Sequence, residues 1–198
     1  FSSFLASASQ KNWAIPQAKH KWILLLDADE RVTPALKKEV LSIINSNTQY
    51  RGFWIKRQNY FMKKKVRFSG WQGDKVIRLF KRDECKYENK HVHAEIISTG
   101  KIGILKNHLT HNTFISKEAY LNKITRYAKW QAKDYNKKVN KITIFHTLIK
   151  PLVRFLKHYI LQLGILDGYV GFMISSYQAK AVSMRYKYLQ EYRNGNRD

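Results

Sequence analysis

Cysteine is nearly missing: Cys85 is the single one among 198 residues. That excludes an internal disulfide and a cysteine-rich zinc site, and it fits a reducing compartment. No apolar run approaches the roughly 20 residues that a membrane-spanning helix needs. No signal-peptide pattern opens the sequence, and there are no internal repeats or low-complexity segments. Acidic residues are scarce, 14 Asp and Glu against 37 Lys and Arg, for a formal charge of +23. The excess is not a tail: the first hundred residues carry 19 basic and 9 acidic side chains, and the remaining 98 carry 18 and 5. A chain basic throughout points to anionic partners, whether nucleic acid, an anionic membrane surface or phosphorylated substrates. The length suits one domain, with or without an appendage, and can bury a core. The first residue is Phe1, not Met, in a stretch with a helical pattern, so an N-terminal portion of a larger protein is expected before it.

The few acids are not scattered. Trp22-Ile-Leu-Leu-Leu-Asp27-Ala-Asp29-Glu30 is a bulky apolar run that ends in three carboxylates. The run reads as a strand buried on both faces, and its C-terminal end is where open α/β sheets place ligands. Clustered carboxylates repel one another unless a cation lies between them, and hard oxygen donors suit Mg²⁺ or Mn²⁺. Thr33 and Pro34 read as the cap and first residue of a helix through Asn45. On that reading Glu30 and Arg31 are loop residues, but capping does not explain Asp27 and Asp29 directly after four apolar residues.

Other elements follow from periodicity. Residues 1–18 read as a helix, 52–60 and 75–80 as strands, and 63–65 as a basic turn. Residues 91–97 and 102–105 read as a strand pair broken at Thr99-Gly100. Residues 116–136 and about 172–192 read as helices. Between them, Phe145, Leu148, Leu152, Phe155, Leu156, Tyr159 and Leu163 form a helical stripe interrupted at Pro151, with Lys150, Arg154 and Lys157 on the other face. Basic amphipathic helices with aromatics suit the headgroup region of an anionic bilayer, or pack as an ordinary helical hairpin. Arg78, with Lys81 and Arg82, is a candidate for contact with phosphates. Trp71, beside two glycines, is the better candidate for stacking on a ligand ring, and Trp54 reads as core.

In order along the chain, Asn12-Trp-Ala, Trp22 to Arg31, Arg78-Leu-Phe-Lys-Arg, Val92-His-Ala-Glu95, His108-Leu-Thr-His111, Pro151-Leu-Val-Arg-Phe and Gly164-Ile-Leu-Asp-Gly168 form a specific set. With this set the chain resembles family 2 glycosyltransferases of the GT-A fold, in particular the bacterial lipopolysaccharide inner-core glucosyltransferases. The resemblance implies an α/β, Rossmann-like GT-A sheet over residues 1–113, followed by a helical extension over 114–198. It implies that the βαβ units carrying the nucleotide-base pocket precede Phe1, so residues 1–198 alone are not expected to suffice for turnover.

The implied activity is inverting transfer of a sugar from a nucleotide diphosphate, with UDP as the nucleotide, to lipopolysaccharide core or another envelope glycan or glycolipid. Asp27 faces the ribose and Asp29 holds a divalent Mg or Mn ion, with His111 completing the metal site. An inverting transferase needs a base for the acceptor hydroxyl. Where the subgroup often reads Val-His-Glu, this chain reads His91-Val-His93-Ala94-Glu95. Alternate residues of a strand share a face, so His91, His93 and Glu95 are expected to point together. Glu95 is the first choice for the base, Asp74 is its rival, and His93 is either the base or an acceptor-positioning group. The expected site is peripheral, on the cytoplasmic face of the inner membrane, with an anionic membrane surface as partner and no nucleic acid. The competing reading is a basic nucleic-acid- or membrane-binding protein without catalysis, including an inactive truncated transferase.

Overall fold

A computed structural model describes residues 7–88, 95–114 and 116–195. The chain forms two compact units, residues 1–58 with 73–111 and residues 59–72 with 112–198. The elements are α1 (Ser7–Ala14), β1 (Trp22–Leu24), β2 (Glu30–Val32), α2 (Pro34–Ile44), β3 (Gly52–Phe61), β4 (Lys64–Lys65) and β5 (Lys75–Lys81). They continue as β6 (Cys85–Tyr87), β7 (Ile96–Ser98), β8 (Ile102–Phe114), α3 (Lys117–Asn136), α4 (Lys150–Leu156) and α5 (Gly168–Arg193).

The first unit is built on a sheet of order β1-β5-β3-β8-β2. Neighbours β1–β5, β3–β5 and β2–β8 are antiparallel. Strands β3 and β8 run parallel: backbone bonds join Arg51 to Lys101 and, further along both strands, Met62 to Phe114. The sheet is therefore mixed, as expected of an α/β chain. Two apolar clusters hold the unit. Ala8, Ile15, Ile77, Phe80 and Tyr87 form one, and Leu36, Val40, Phe53, Ile55, Leu79 and Leu109 form the other. Ile23 packs against the first while Trp22 and Leu24 pack against the second, the alternation that a pleated strand imposes. Strand β5 departs from it. Phe53 faces Leu79 and Trp54 faces Ile77, so Arg78 is an extra residue, a β-bulge.

Several expectations are met and several are corrected. Thr33 caps α2, its hydroxyl accepting from the Leu36 N–H at 3.2 Å. Strand β1 is half-buried at the sheet edge, not buried on both faces. Glu30 and Arg31 lie in a strand and not in a loop. Strand β7 pairs with β6, which alternation did not reveal, and not with the strand after Gly100. The β8 strand continues through His111 to Phe114, and the helix cap is Ser116. Cys85 is buried, and its burial raises the thiol pKa above the ordinary value, which makes it a poor nucleophile.

The second unit is helical. Phe61, Tyr120, Ile124, Ile174 and Tyr177 form one apolar cluster, and Ala132, Val182, Tyr186 and Leu189 form another. The stretch around Pro151 is one continuous helical run: α4 lies between single π-helical turns at Phe145–Ile149 and Lys157–Leu161. Pro151 lies inside this run, directly after the first π-turn, where its missing N–H leaves one backbone bond of the run unmade. Asp167 accepts from the N–H groups of Arg67 and Phe68, both at 2.9 Å, and from the Ser69 hydroxyl at 2.8 Å. A Cβ added to Gly171 would lie 1.8 Å from the Gly164 carbonyl oxygen, a backbone atom with no freedom to swing away. Gly171→Ala is therefore expected to destabilise the protein by about 1–3 kcal/mol through overpacking, read as a lower midpoint of thermal unfolding.

Candidate active site

Strand register places the charged groups. The β1–β5 pairing sets Leu24 opposite Leu79 and lets the Leu25 N–H reach the Arg78 carbonyl at 2.9 Å, which brings Asp27 beside Arg78. The β2–β8 pairing sets Glu30 opposite His111. At the end of the β3–β5 pairing the Arg57 N–H donates to the Asp74 carbonyl at 2.9 Å. The bulge turns Arg78 into the same cluster. Six side chains, from four strands and two adjoining loops, thereby meet, and no single sequence motif joins them all.

Glu30 is their hub. It is 2% exposed. Its Oε1 accepts from Arg78 Nη2 at 2.9 Å and from Arg57 Nη1 at 3.4 Å, and its Oε2 accepts from the Asp27 N–H at 3.1 Å. The Glu30 N–H donates to the Asp27 carbonyl at 3.0 Å, closing a tight turn through Asp27-Ala28-Asp29. Arg31 braces the same turn through the carbonyls of Ala28 and Glu30, at 2.9 and 2.7 Å.

Asp27 is held by Arg78 and, at 3.3 Å, by Lys11. Burial alone would raise its pKa, but the Arg78 guanidinium and the Lys11 ammonium outweigh that and lower it below the ordinary carboxylate value. Burial would likewise lower the Arg78 pKa, and Glu30 and Asp27 more than restore it. Asp74 binds Arg57 through two bonds, Nε to Oδ2 at 3.0 Å and Nη2 to Oδ1 at 2.6 Å. Such a fork-to-fork pair occupies the carboxylate edge.

Asp29 lies on the open side, its side chain 46% exposed, with Oδ2 3.3 Å from His111 Nε2. Burial and the Arg57 guanidinium lower the His111 pKa, against the pull of Asp29. The ring is therefore neutral at neutral pH, the form that ligates metals. Adjacent ligands on an octahedral ion, each about 2.1 Å from it, lie about 3.0 Å apart, so the Asp29–His111 spacing fits a divalent ion. Among the described residues no group of three His, Cys, Asp or Glu could hold a metal. The two side chains would thus supply part of a coordination shell, with ligand oxygens completing it.

A pocket of about 360 Å³ opens beside this network, within the usual size range of small-molecule sites. Asp27, Arg78 and Glu95 line it, together with Lys11, Arg57 and Lys75. Glu95 is exposed, and its backbone carbonyl accepts from the Glu88 N–H at 2.9 Å, fixing the chain next to β7. His91 and His93 lie outside the described residues, so the shared face expected for them and Glu95 is not visible. Trp54 also lines the pocket, with Lys75 Nζ 5.2 Å from its ring centre. Trp54 also packs on the first apolar cluster, as expected of a core residue, while Trp71 belongs to the second unit, edge-on to Phe61 at 6.4 Å. Lys81 is buried against Glu84 and Trp22, so it does not join Arg78 as a phosphate contact. Lys11, Arg57 and Lys75 were missed because no motif marks them in sequence, and only Glu30, inside the acidic run, carried a signal.

No protein-family model matches the chain. Among curated proteins it is 26% identical over 204 residues to an uncharacterized glycosyltransferase of Rickettsia prowazekii, covering 95% of this chain and 68% of that protein. It is 27% identical, with the same coverage, to an uncharacterized glycosyltransferase of Rickettsia typhi. The chain is similar to glycosyltransferases. A further match, 22% identical over 154 residues, is the lipopolysaccharide core biosynthesis glycosyltransferase LpsC of Rhizobium meliloti, covering 77% of this chain and 57% of that protein.

Proposed function

We propose that this chain is the catalytic part of an inverting glycosyltransferase of family 2 and the GT-A fold. It moves a sugar from a nucleotide-diphosphate donor, a UDP-sugar, to a lipopolysaccharide-core or other envelope glycan or glycolipid. The observation that carries the reading is the pocket itself, where a held carboxylate, Asp27, and two lysines face an exposed carboxylate, Glu95. The similarity to glycosyltransferases names the chemistry that such a pocket serves.

In this reading Lys11 and Lys75 meet the donor phosphates, Asp27 meets the ribose, and Trp54 offers a ring face to the sugar. Arg78 acts through Asp27 and Glu30, because its guanidinium is engaged by both. Asp29 and His111 would hold a divalent ion, Mg or Mn, which when bound would supply positive charge against the departing diphosphate. Glu95 takes the proton from the acceptor hydroxyl as that oxygen attacks the anomeric carbon. Asp74, doubly bonded to Arg57, instead shapes the cluster. The acceptor is presented at an anionic membrane surface, with the protein peripheral on the cytoplasmic face of the inner membrane. No helix among the described residues is long and apolar enough to cross a membrane.

The test is transfer by the full-length protein across a panel of nucleotide sugars, with delipidated core oligosaccharide as acceptor and Mn²⁺ titrated in. The expected result is metal-dependent turnover with one donor. Asp29→Ala should raise the Mn²⁺ concentration for half-maximal rate at least about tenfold, since even outer-shell partners of metal ligands are worth that much. Turnover with no donor would overturn the assignment, and turnover unaffected by chelation would remove the metal from it.

A further inference from the structure

The second unit carries an apolar surface that nothing in it covers. Among the described residues, fourteen exposed large apolar side chains fall between positions 144 and 172, against seven in all the rest. A concentration of that kind is a patch and not the ordinary scatter of surface hydrophobics. Its centre is the turn that joins the helical run ending at Leu161 to α5. There Leu161 is 78% exposed, Leu166 63% and Tyr169 69%.

Turns between helices are normally polar, because they lie in water. This one reads Ile160-Leu-Gln-Leu-Gly-Ile-Leu-Asp-Gly-Tyr169. Its two polar side chains both serve the protein's own interior. Asp167 accepts from Arg67, Phe68 and Ser69. The Gln162 side-chain oxygen is buried, and the Gln162 backbone carbonyl accepts from the Ser69 N–H and from the Gln72 side chain, each at 2.9 Å. The polar groups are withdrawn and the outside of the turn is left almost wholly apolar.

The occupant follows from charge. Lys150, Arg154 and Lys157 lie in the same segment, with Asp167, already engaged inward, as its one acid. An apolar tip with cations on the helix leading to it matches the boundary between acyl chains and anionic headgroups. It matches neither a nucleic acid, which offers no apolar phase, nor a second copy of a chain with formal charge +23. We propose that the turn around Leu161–Tyr169, with the exposed face of α4 that carries Leu152 and Leu156, inserts into an anionic lipid surface as the membrane-docking wedge of this protein. The inference deepens the peripheral-membrane part of the reading above and rests on it. It is independent of which sugar is moved.

The experiment is flotation of the full-length protein with vesicles of phosphatidylglycerol and phosphatidylethanolamine, and with phosphatidylcholine alone, at low and at 0.5 M salt (an experimental setting of about three times physiological ionic strength). Wild type is compared with Leu161→Glu/Leu166→Glu and with Leu41→Glu, which changes an exposed leucine in the first unit. Circular dichroism checks that each variant is folded. The expected result is flotation with the anionic vesicles that weakens but persists at high salt, is kept in Leu41→Glu, and falls at least tenfold in the double variant. Equal flotation of the double variant would overturn the wedge while leaving peripheral membrane binding standing. No flotation of wild type would overturn both. A wild-type dimer that dissociates in the double variant, with no change in flotation, would assign the face to a second copy and overturn the proposal.

Discussion

Glu95→Gln is expected to leave the protein folded and to lower the rate of sugar transfer by roughly 10²–10⁴-fold, the usual contribution of a positioned general base. The substitution keeps shape and hydrogen-bonding length but replaces a carboxylate, which can accept a proton, with a neutral amide, which is not basic. Folding is not at risk, because Glu95 is exposed and its structural bond uses the backbone carbonyl. Donor binding should be unchanged, since Lys11, Lys75 and Asp27, which the proposal assigns to the donor, are untouched. The informative comparison is kcat for transfer against affinity for the nucleotide diphosphate, measured by calorimetry on the same variant. A kcat within a few-fold of wild type would remove Glu95 from the base role. Asp74→Asn is the companion variant. Both Asp74 oxygens lie against Arg57, so its effect should appear first in stability. If Asp74→Asn abolished turnover with stability intact, the base would be Asp74.

Replacing Glu30 by Gln is expected to cost about 3–5 kcal/mol of folding free energy, the range seen when one partner of a buried ion network is removed. Asp27, Glu30 and Asp74 face Arg57, Arg78 and Lys11, so three negative charges meet three positive ones. Glu30 is the carboxylate shared by both guanidinium groups, and its side chain is fully shielded from water. Without its charge, Arg78 remains buried with Asp27 as its partner, and the Asp27 turn loses the acceptor that fixes its N–H. Urea unfolding followed by circular dichroism should show a lower midpoint with a similar slope. Asp83→Asn, at an exposed neighbouring pair with Arg82, is the control and should shift nothing measurable. A Glu30→Gln midpoint equal to wild type would mean that water or the remaining carboxylates balance the arginines, and that the hub is not structural.

The two variants separate parts of the acidic run that look alike in sequence. Asp27, Asp29 and Glu30 share one short segment, and nothing in their order says which one faces inward. The tight turn does: it sends Glu30 into the sheet, leaves Asp29 open toward His111, and sets Asp27 between Arg78 and Lys11.

Local chemistry was legible without coordinates. The cap at Thr33, the helix that follows it, the strands beginning at Gly52 and Lys75 and the helix after Ser116 are set by short-range periodicity and capping, which a linear sequence contains. The acidic run was legible too, as a group of carboxylates directly after an apolar run. The pocket was not. Lys11, Arg57, Lys75 and Glu95 are far apart in sequence, and strand register brings them to one place. The position of Arg78 depends on a single extra residue in β5, which changes the parity of the strand so that Ile77 and Leu79 enter different clusters. Alternation in the sequence alone could not show that, because a bulge depends on the neighbouring strand.

The apolar stripe after Phe145 divides in the same way. Sequence determined that the segment is helical, apolar and flanked by cations. Tertiary structure decided which side of it is free. Pro151 and His158 turn inward, while Leu152, Leu156 and Leu161 are left in the open. A hydrophobic residue is equally content against a protein core or a lipid surface, so its identity does not select between them; only the surroundings that the fold supplies can do so.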